Sequence, residues 1–215
     1  MKPLYILVLA LLLPQILLAQ FNPFKPGSYI LAGAGAVRQS AKLKLRSSEL
    51  LIAKHADNST RQLTPTAVAS FRIEQKRFVT ATNFEVPIGF GKTVDEAFVE
   101  LLDSGQMVLM RYEYTVGAPM MMGAGGTMSG GGSSTYDVYL LRWANETAIT
   151  PVTANRLTGG GRKFRDALLP HLRMRDDLAK LVEDGSVTVD GLPALIRALN
   201  TGQAYAPITT PAIPD

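Results

Sequence analysis

The chain has 215 residues, a formal net charge of +4 at pH 7 and no cysteine. The absence of cysteine excludes disulfide cross-links, a lipid-bearing cysteine, thiolate zinc sites and cysteine nucleophiles. A chain of this length can bury enough surface to be stable through its own hydrophobic core, as one domain or as two small ones.

Residues 1–19 have the pattern of an export signal. Lys2 supplies a positive charge, an apolar run extends from Leu4 to Leu18, and Ala19 ends a cleavage site of the Leu-x-Ala type. The run includes Pro14 and is shorter than the roughly 20 apolar residues that a membrane-spanning helix needs. We therefore expect cleavage and export to the periplasm or the exterior, with no transmembrane span afterwards. A retained N-terminal anchor is the alternative.

Short strand patterns dominate the first part of the body, which we place at residues 28–144. Residues 20–27 hold two prolines and a glycine and predict an extended lead-in. The strand patterns, separated by turn residues, are 28–31, 41–46, 49–53, 61–64, 71–73 and 77–81. In the second of them apolar residues alternate with Lys42, Lys44 and Arg46, which is typical of an antiparallel strand with one face in water. This predicts a small barrel or sandwich.

One helix is expected within this module. Thr93 and Glu96 have the spacing of a capping box, and the apolar residues that follow predict a short helix over 93–102. Phe98, Leu101 and Leu102 would share one face of that helix and cover the open side of the sheet.

The two strongest strand signals are residues 107–114 and 136–143, which are rich in Tyr, Val and Leu and predict a hairpin. Between them lies a loop, residues 117–134, with seven glycines and four methionines. This composition cannot offset the entropy of one fixed conformation, so we expect disorder in the free protein.

The rest of the chain predicts helices. After a linker at 145–161, a helical segment at 162–202 contains three apolar patterns, at 162–172, 175–184 and 191–200. Asp190 is the expected N-cap of the third helix, and Gly202 lies past its end. Residues 203–215 form a proline-rich, extended tail. The fold class is α+β, with the helices able to bury one another and to pack on the sheet.

The order of apolar residues resembles that of a group of exported bacterial proteins of uncharacterised function. The matching segments are FVELLDSG (98–105) with LMRY (109–112), and KFRDAL (163–168) with LIRALN (195–200). The resemblance implies a β-rich module followed by a compact helical segment, and it brings no activity with it. Such proteins often carry a cysteine between the first two closing helices, where this chain has Arg173, Met174 and Arg175, so any role of that cysteine is absent here.

Metal and cofactor chemistry have little support in the sequence. The two histidines, His55 and His171, each lack a partner at metal-ligand spacing, so a zinc site would require the fold to bring them together with further ligands. We interpret His55 as a surface residue and expect the end of a helix to favour the charged form of His171. The glycines near positions 33 and 91 miss the spacing of nucleotide-binding motifs, and no cofactor is predicted.

The glycine-rich loop carries the candidate contact residues Met120, Met121, Met122 and Met128. Thioethers are soft ligands that could hold Cu(I), and flexible methionines also form adaptable apolar contacts. A neutral insertion without a role is the third interpretation.

Two functions remain open. The preferred hypothesis is an exported, non-enzymatic binding or structural module whose partner is a protein or an envelope component. The basic clusters at 42–46 and 162–165 are interpreted as solvated faces, so no nucleic acid is expected. The alternative is a periplasmic or extracellular hydrolase that uses a pair of carboxylates. Candidates for such a pair are Glu74, Glu85, Glu113, Asp137 and Asp166.

Overall fold

The computed structural model describes residues 23–87, 91–117, 121–122, 128–129, 132–153 and 160–207. They form a large antiparallel sheet, a separate two-stranded ladder and three helices. The strands are β1 (Lys25–Leu31), β2 (Arg38–Ser47), β3 (Leu50–Lys54), β4 (Thr60–Leu63), β5 (Val68–Ile73), β6 (Lys76–Val86), β7 (Lys92–Asp103), β8 (Met107–Gly117), β9 (Met121–Met122), β10 (Met128–Ser129), β11 (Ser133–Trp143) and β12 (Thr150–Val152). The helices are α1 (Arg162–Leu168), α2 (Asp176–Glu183) and α3 (Leu192–Thr201).

The ten strands of the large sheet follow the order β12-β11-β8-β7-β6-β5-β1-β2-β3-β4, and neighbours run antiparallel. The α+β class is therefore confirmed. The sheet is open rather than closed into the expected small barrel, because β12 and β4 lie at its two edges and do not pair with each other within the described chain. The strands predicted in residues 28–81 coincide with β1 to β6. Residues 150–152, in the segment expected to be a linker, pair with β11 as β12.

The predicted helix over residues 93–102 is wrong, since this segment lies within strand β7. β6 pairs with β7 along nearly its whole length and β8 pairs with its C-terminal part, so the backbone hydrogen bonds run between strands. The three residues expected on one helical face pack in different places, Phe98 against β1–β5, Leu101 among the central strands and Leu102 under the helices. The local capping pattern favours a helix. Pairing with β6 and β8 and apolar neighbours on both faces stabilise a strand instead.

The core has three parts. An aromatic cluster lies on one face of β1–β7, where Phe71 stacks on Phe78 at 4.7 Å and meets Phe98 edge-on at 5.0 Å. A strand cluster lies on the opposite face of β6, β7, β8 and β11, with Phe84, Met110 and Leu140 buried in it. A helix cluster joins all three helices to β8, β11 and β12. Its fully buried members include Met107, Leu109, Leu141, Phe164, Leu168, Leu172, Leu178, Leu192, Leu195 and Ile196.

The helices follow their predicted spans with shifts at the ends. The first ends at Leu168, and a 3-10 turn at Leu169–His171 follows it where Pro170 interrupts the pattern. The N-cap expected at Asp190 is wrong, because a 3-10 turn over Val189–Gly191 precedes α3 and no side chain caps its start. Gly202 ends α3 in the left-handed region, with φ of 71°, as expected. No helix in the described ranges is long and apolar enough to cross a membrane.

Candidate functional site: a two-stranded arm and the cleft at its base

The hairpin of β8 and β11 extends past the rest of the sheet. β8 and β11 pair from Met107–Trp143 to Gly117–Ser133, which confirms the predicted hairpin. The register of β7 on β8 ends at the pair Glu100–Arg111, and β12 pairs only with residues 139–141 of β11. Among the described strands, residues 112–117 and 133–138 therefore pair only with each other. We call these two segments the arm.

The methionine-rich segment continues the register of the arm. Met122 pairs with Met128 and Met121 with Ser129, in the ladder of β9 and β10. Paired residue numbers add up to 250 in this ladder and throughout the β8–β11 ladder, so an equal number of residues separates the two ladders on each side. Met120 and most of the loop expected to be disordered lie outside the described residues. The two described ladders therefore share one register.

The arm has two chemically different faces. On one face Tyr112, Tyr114 and Tyr136 follow one another, with ring centroids 6.1 Å and 5.7 Å apart, and Phe84 anchors the row in the strand cluster through an edge contact at 5.1 Å. Tyr112 is buried, whereas Tyr114 and Tyr136 are half-buried. On the other face Glu113 lies directly opposite Asp137. Tyrosine combines an apolar ring with a polar tip, so this row can meet an apolar or a wet surface.

At the base of the arm the turn between β2 and β3 fills the gap that opens between β7 and β8. The backbone N–H of Phe98 donates a hydrogen bond of 2.6 Å to the carbonyl oxygen of Ser48. The Ser48 hydroxyl is 3.5 Å from the Tyr112 hydroxyl. Ser48 therefore contacts both strands at the point where they separate.

A charged cleft of about 310 Å³ lies beside this turn. Arg111 is its central group, with Nη2 at 2.5 Å from Oε2 of Glu100 and Nη1 at 3.7 Å from Oδ2 of Asp137. Lys76 Nζ lies 3.6 Å from the same Glu100 oxygen. The hydrogen bond from Arg111 to Glu100 raises the pKa of the guanidinium, which therefore stays charged. The cleft holds an ion-pair network between oppositely charged groups.

Of the five candidate carboxylates, the fold brings together two, Glu113 and Asp137. Glu74 pairs with Lys25 at 2.8 Å, and Asp166 lies 3.5 Å from Arg162. Glu85 lies on β6, where its cross-strand partner is Thr93 of β7, so β7 separates it from β8.

The sequence reasoning missed Glu100 and Arg111. The helix assigned to 93–102 would have pointed Glu100 to solvent. Alternation of buried and polar residues along β8 was the one available signal for Arg111.

The two histidines lie in separate environments. His55 is half-buried rather than on the surface, with Nε2 at 3.3 Å from the hydroxyl of the fully buried Tyr29. His171 packs against Trp143 with ring centroids 5.7 Å apart. Burial lowers the pKa of His171, against an opposing effect of Glu146, so the expected preference for the charged form is wrong. Within the described ranges, no group of three or more His, Asp or Glu side chains could hold a metal ion.

Comparisons with protein-family models, with curated proteins and with solved structures gave no significant match.

Proposed function

We propose that the protein is an exported, non-enzymatic binding module that engages a partner protein or an envelope component through its arm and the methionine-rich segment beyond it. The observation that carries this proposal is that the β8–β11 ladder, from Met107–Trp143 to Gly117–Ser133, shares its register with the pair Met122–Met128. The hairpin is anchored at one end in the helix and strand clusters, and the arm extends from them beyond the rest of the sheet.

Physical chemistry supports a contact role for the arm. Residues 113, 115, 117, 133, 134, 135 and 137 are exposed, so extending the hairpin adds little apolar burial to the body. Elements of this kind, carried on a rigid scaffold, are where proteins place binding surfaces. Methionine adapts its shape to an apolar partner, and tyrosine adds a large contact area at a low cost in conformational entropy.

The competing function, a hydrolase, has one observation in its favour: Glu100 and Glu113 line one cleft, and Asp137 lies directly opposite Glu113. Arg111 forms ion pairs with two of these three carboxylates, Glu100 and Asp137, and the third, Glu113, is exposed. We therefore favour an ion-pair network that fixes the base of the arm.

Replacement of residues 118–132 by Asn-Gly tests the proposal. Gly117 and Ser133 are cross-strand partners, so a two-residue turn closes the shortened hairpin without changing its register. The wild-type chain should capture a component from envelope extracts, identified by mass spectrometry and confirmed by direct binding of the purified component. The shortened chain should lose this binding and keep its thermal unfolding midpoint.

A matched control replaces the exposed glycine-containing loop at residues 32–36 with serine and glycine, and it should bind like the wild type. Tyr114→Ser together with Tyr136→Ser then separates the tyrosine face from the tip. Retention of capture by both arm variants would refute a binding role for the arm. Hydrolysis of chromogenic glycosides or esters that is lost in Glu113→Gln would establish the hydrolase instead.

A further inference from the structure

A second surface, far along the sheet from the arm, carries a cluster of cations on one face. By alternation and register these side chains share the face opposite the aromatic cluster on β1, β2, β3, β5 and β6. We call this surface the basic face. Its cationic members are Arg38, Lys42, Lys44, Lys54, Arg72 and Arg77.

Two pairs of like charges lie directly opposite each other on this face. Lys42 is the cross-strand partner of Lys54, and Arg72 is that of Arg77. Like charges at directly opposite positions destabilise a sheet. In the described part of the chain none of these four side chains forms a salt bridge, and no carboxylate occupies the same face of these strands. Stability alone does not explain why the folded protein keeps these like charges opposite each other. Residues that break a rule of stability are concentrated at functional sites.

The charge is segregated along the chain as well. Residues 23–87 hold ten basic and four acidic side chains, a formal charge of +6, whereas residues 91–207 hold eleven basic and thirteen acidic ones, a formal charge of −2. The net charge of +4 therefore understates the field at this end of the sheet, which attracts polyanions.

Two exposed apolar side chains lie at the two ends of the β1–β2 pair. Val37, which is 63% exposed, immediately precedes Arg38 at one end of the β1–β2 pair. Phe24, which is 37% exposed, precedes β1 at the other end. A linear polyanion offers no apolar contact to such side chains, whereas a bilayer accepts apolar side chains at the boundary between headgroups and acyl chains.

We propose that the basic face docks on a bilayer surface rich in anionic phospholipids, with Val37 and Phe24 entering the interface. Charge complementarity supplies the attraction, since each Lys or Arg near an anionic membrane surface contributes to binding. The cations lie on four strands, β2, β3, β5 and β6, rather than along one groove, which matches a two-dimensional array of headgroups. This docking does not depend on the binding role proposed for the arm.

Vesicle co-sedimentation tests the proposal with the full chain. The measured quantity is the ratio of partition coefficients for phosphatidylcholine vesicles with about one-third phosphatidylglycerol and for phosphatidylcholine alone. Any contribution of the apolar N-terminal segment is common to all variants. The triple variant Lys42→Gln, Arg72→Gln, Arg77→Gln should lower this ratio on the order of 100-fold, since each charge contributes roughly fivefold. Binding should also weaken as salt rises.

The matched control is Arg162→Gln, Lys163→Gln, Arg173→Gln, which removes the same charge from exposed positions in the helical segment. It should keep the wild-type ratio, and Val37→Ser should lower vesicle binding without changing the unfolding midpoint. An equal loss in the two triple variants would overturn the proposal, because net charge alone would then explain the binding. Binding to DNA or heparin without binding to anionic vesicles would also overturn it.

Discussion

The side chain of Asn200 on α3 hydrogen-bonds both backbone groups of Met107 at the start of β8. Asn200 Oδ1 accepts from the Met107 N–H at 2.8 Å, and Nδ2 donates to the Met107 carbonyl oxygen at 2.8 Å and to Oδ1 of Asp103 at 2.8 Å. The approach is so close that a Cβ at Gly105 would lie 2.6 Å from Asn200 Cγ. This contact fastens the helical segment to the β7–β8 turn, so helices and sheet share one core.

Asn200→Ala should lower the free energy of unfolding by about 3 kcal/mol. Met107 is fully buried, so the substitution leaves its N–H and carbonyl without partners and out of water. Urea denaturation measures the change. The exposed Asn145, substituted in the same way, should change stability by less than about 0.5 kcal/mol. A loss below about 1 kcal/mol for Asn200→Ala would mean that water replaces the carboxamide at this position.

Phe98→Ala should cost about 3–5 kcal/mol, the usual range for a buried aromatic residue. Phe98 is 3% exposed and packs edge-on against Phe71, while its N–H holds the carbonyl of Ser48. Chemical denaturation gives the stability, and hydrogen exchange at the Phe98 amide reports the bond to Ser48. Phe24→Ala removes a ring of the same size at an exposed position and should have a small effect. Fast exchange at the Phe98 amide in the wild-type protein would contradict its hydrogen bond to Ser48 in the turn between β2 and β3.

The elements that the sequence predicted correctly depend on local patterns. Lys42, Lys44 and Arg46 alternate with apolar residues, and this alternation appears wherever a strand has one wet and one dry face. The helices show their apolar period of three to four residues together with Gly202 at the end of α3. The error at β7 has a non-local cause, because Thr93 and Glu96 satisfy a local capping rule while β6 and β8 decide the structure.

The candidate site could be predicted only in part. The hairpin and its methionine-rich end are visible as two strong strand signals around a glycine-rich segment. The contact of Arg111 with Glu100 depends on the register between β7 and β8, which no short-range pattern specifies. The basic face is similar: the charges on β2 are obvious in the sequence, but their alignment with Lys54 and Arg72 emerges only from pairing across strands.

Arg111→Gln should destabilise the protein by about 2–3 kcal/mol at neutral pH. Arg111 is 31% exposed and Glu100 only 14%, so the substitution leaves a largely buried carboxylate without its main partner. Glu113 and Asp137 then repel each other across the arm without a nearby guanidinium. Denaturation at low and moderate salt measures the loss, which should be smaller at higher salt.

The double variant Arg111→Gln, Glu100→Gln is the control for this interpretation. It removes both members of the pair and should recover much of the stability lost in the single variant, with a coupling energy within the usual range of about 0.5–3 kcal/mol. If the two substitutions are additive, the 2.5 Å contact contributes nothing specific, and the base of the arm is held by packing alone.

His171→Phe should remove a loss of stability that the wild-type protein shows as the pH falls below about 6.5. Burial lowers the pKa of His171 in the folded state, so the unfolded chain binds the proton more tightly and acid favours unfolding. Above the pKa of His171 in the unfolded state, the ring costs no stability. The loss grows as the pH falls below that value and is complete once the pH has fallen through the pKa in the folded state. Nδ1 is buried without a hydrogen-bond partner in the described chain, and phenylalanine keeps the ring contact with Trp143.

Unfolding free energies of both proteins between pH 8 and 5 check this, because their difference cancels the acidic groups common to both. A difference that stays constant would show that His171 titrates alike in both states, and one of opposite sign would show that the folded state favours the charged ring.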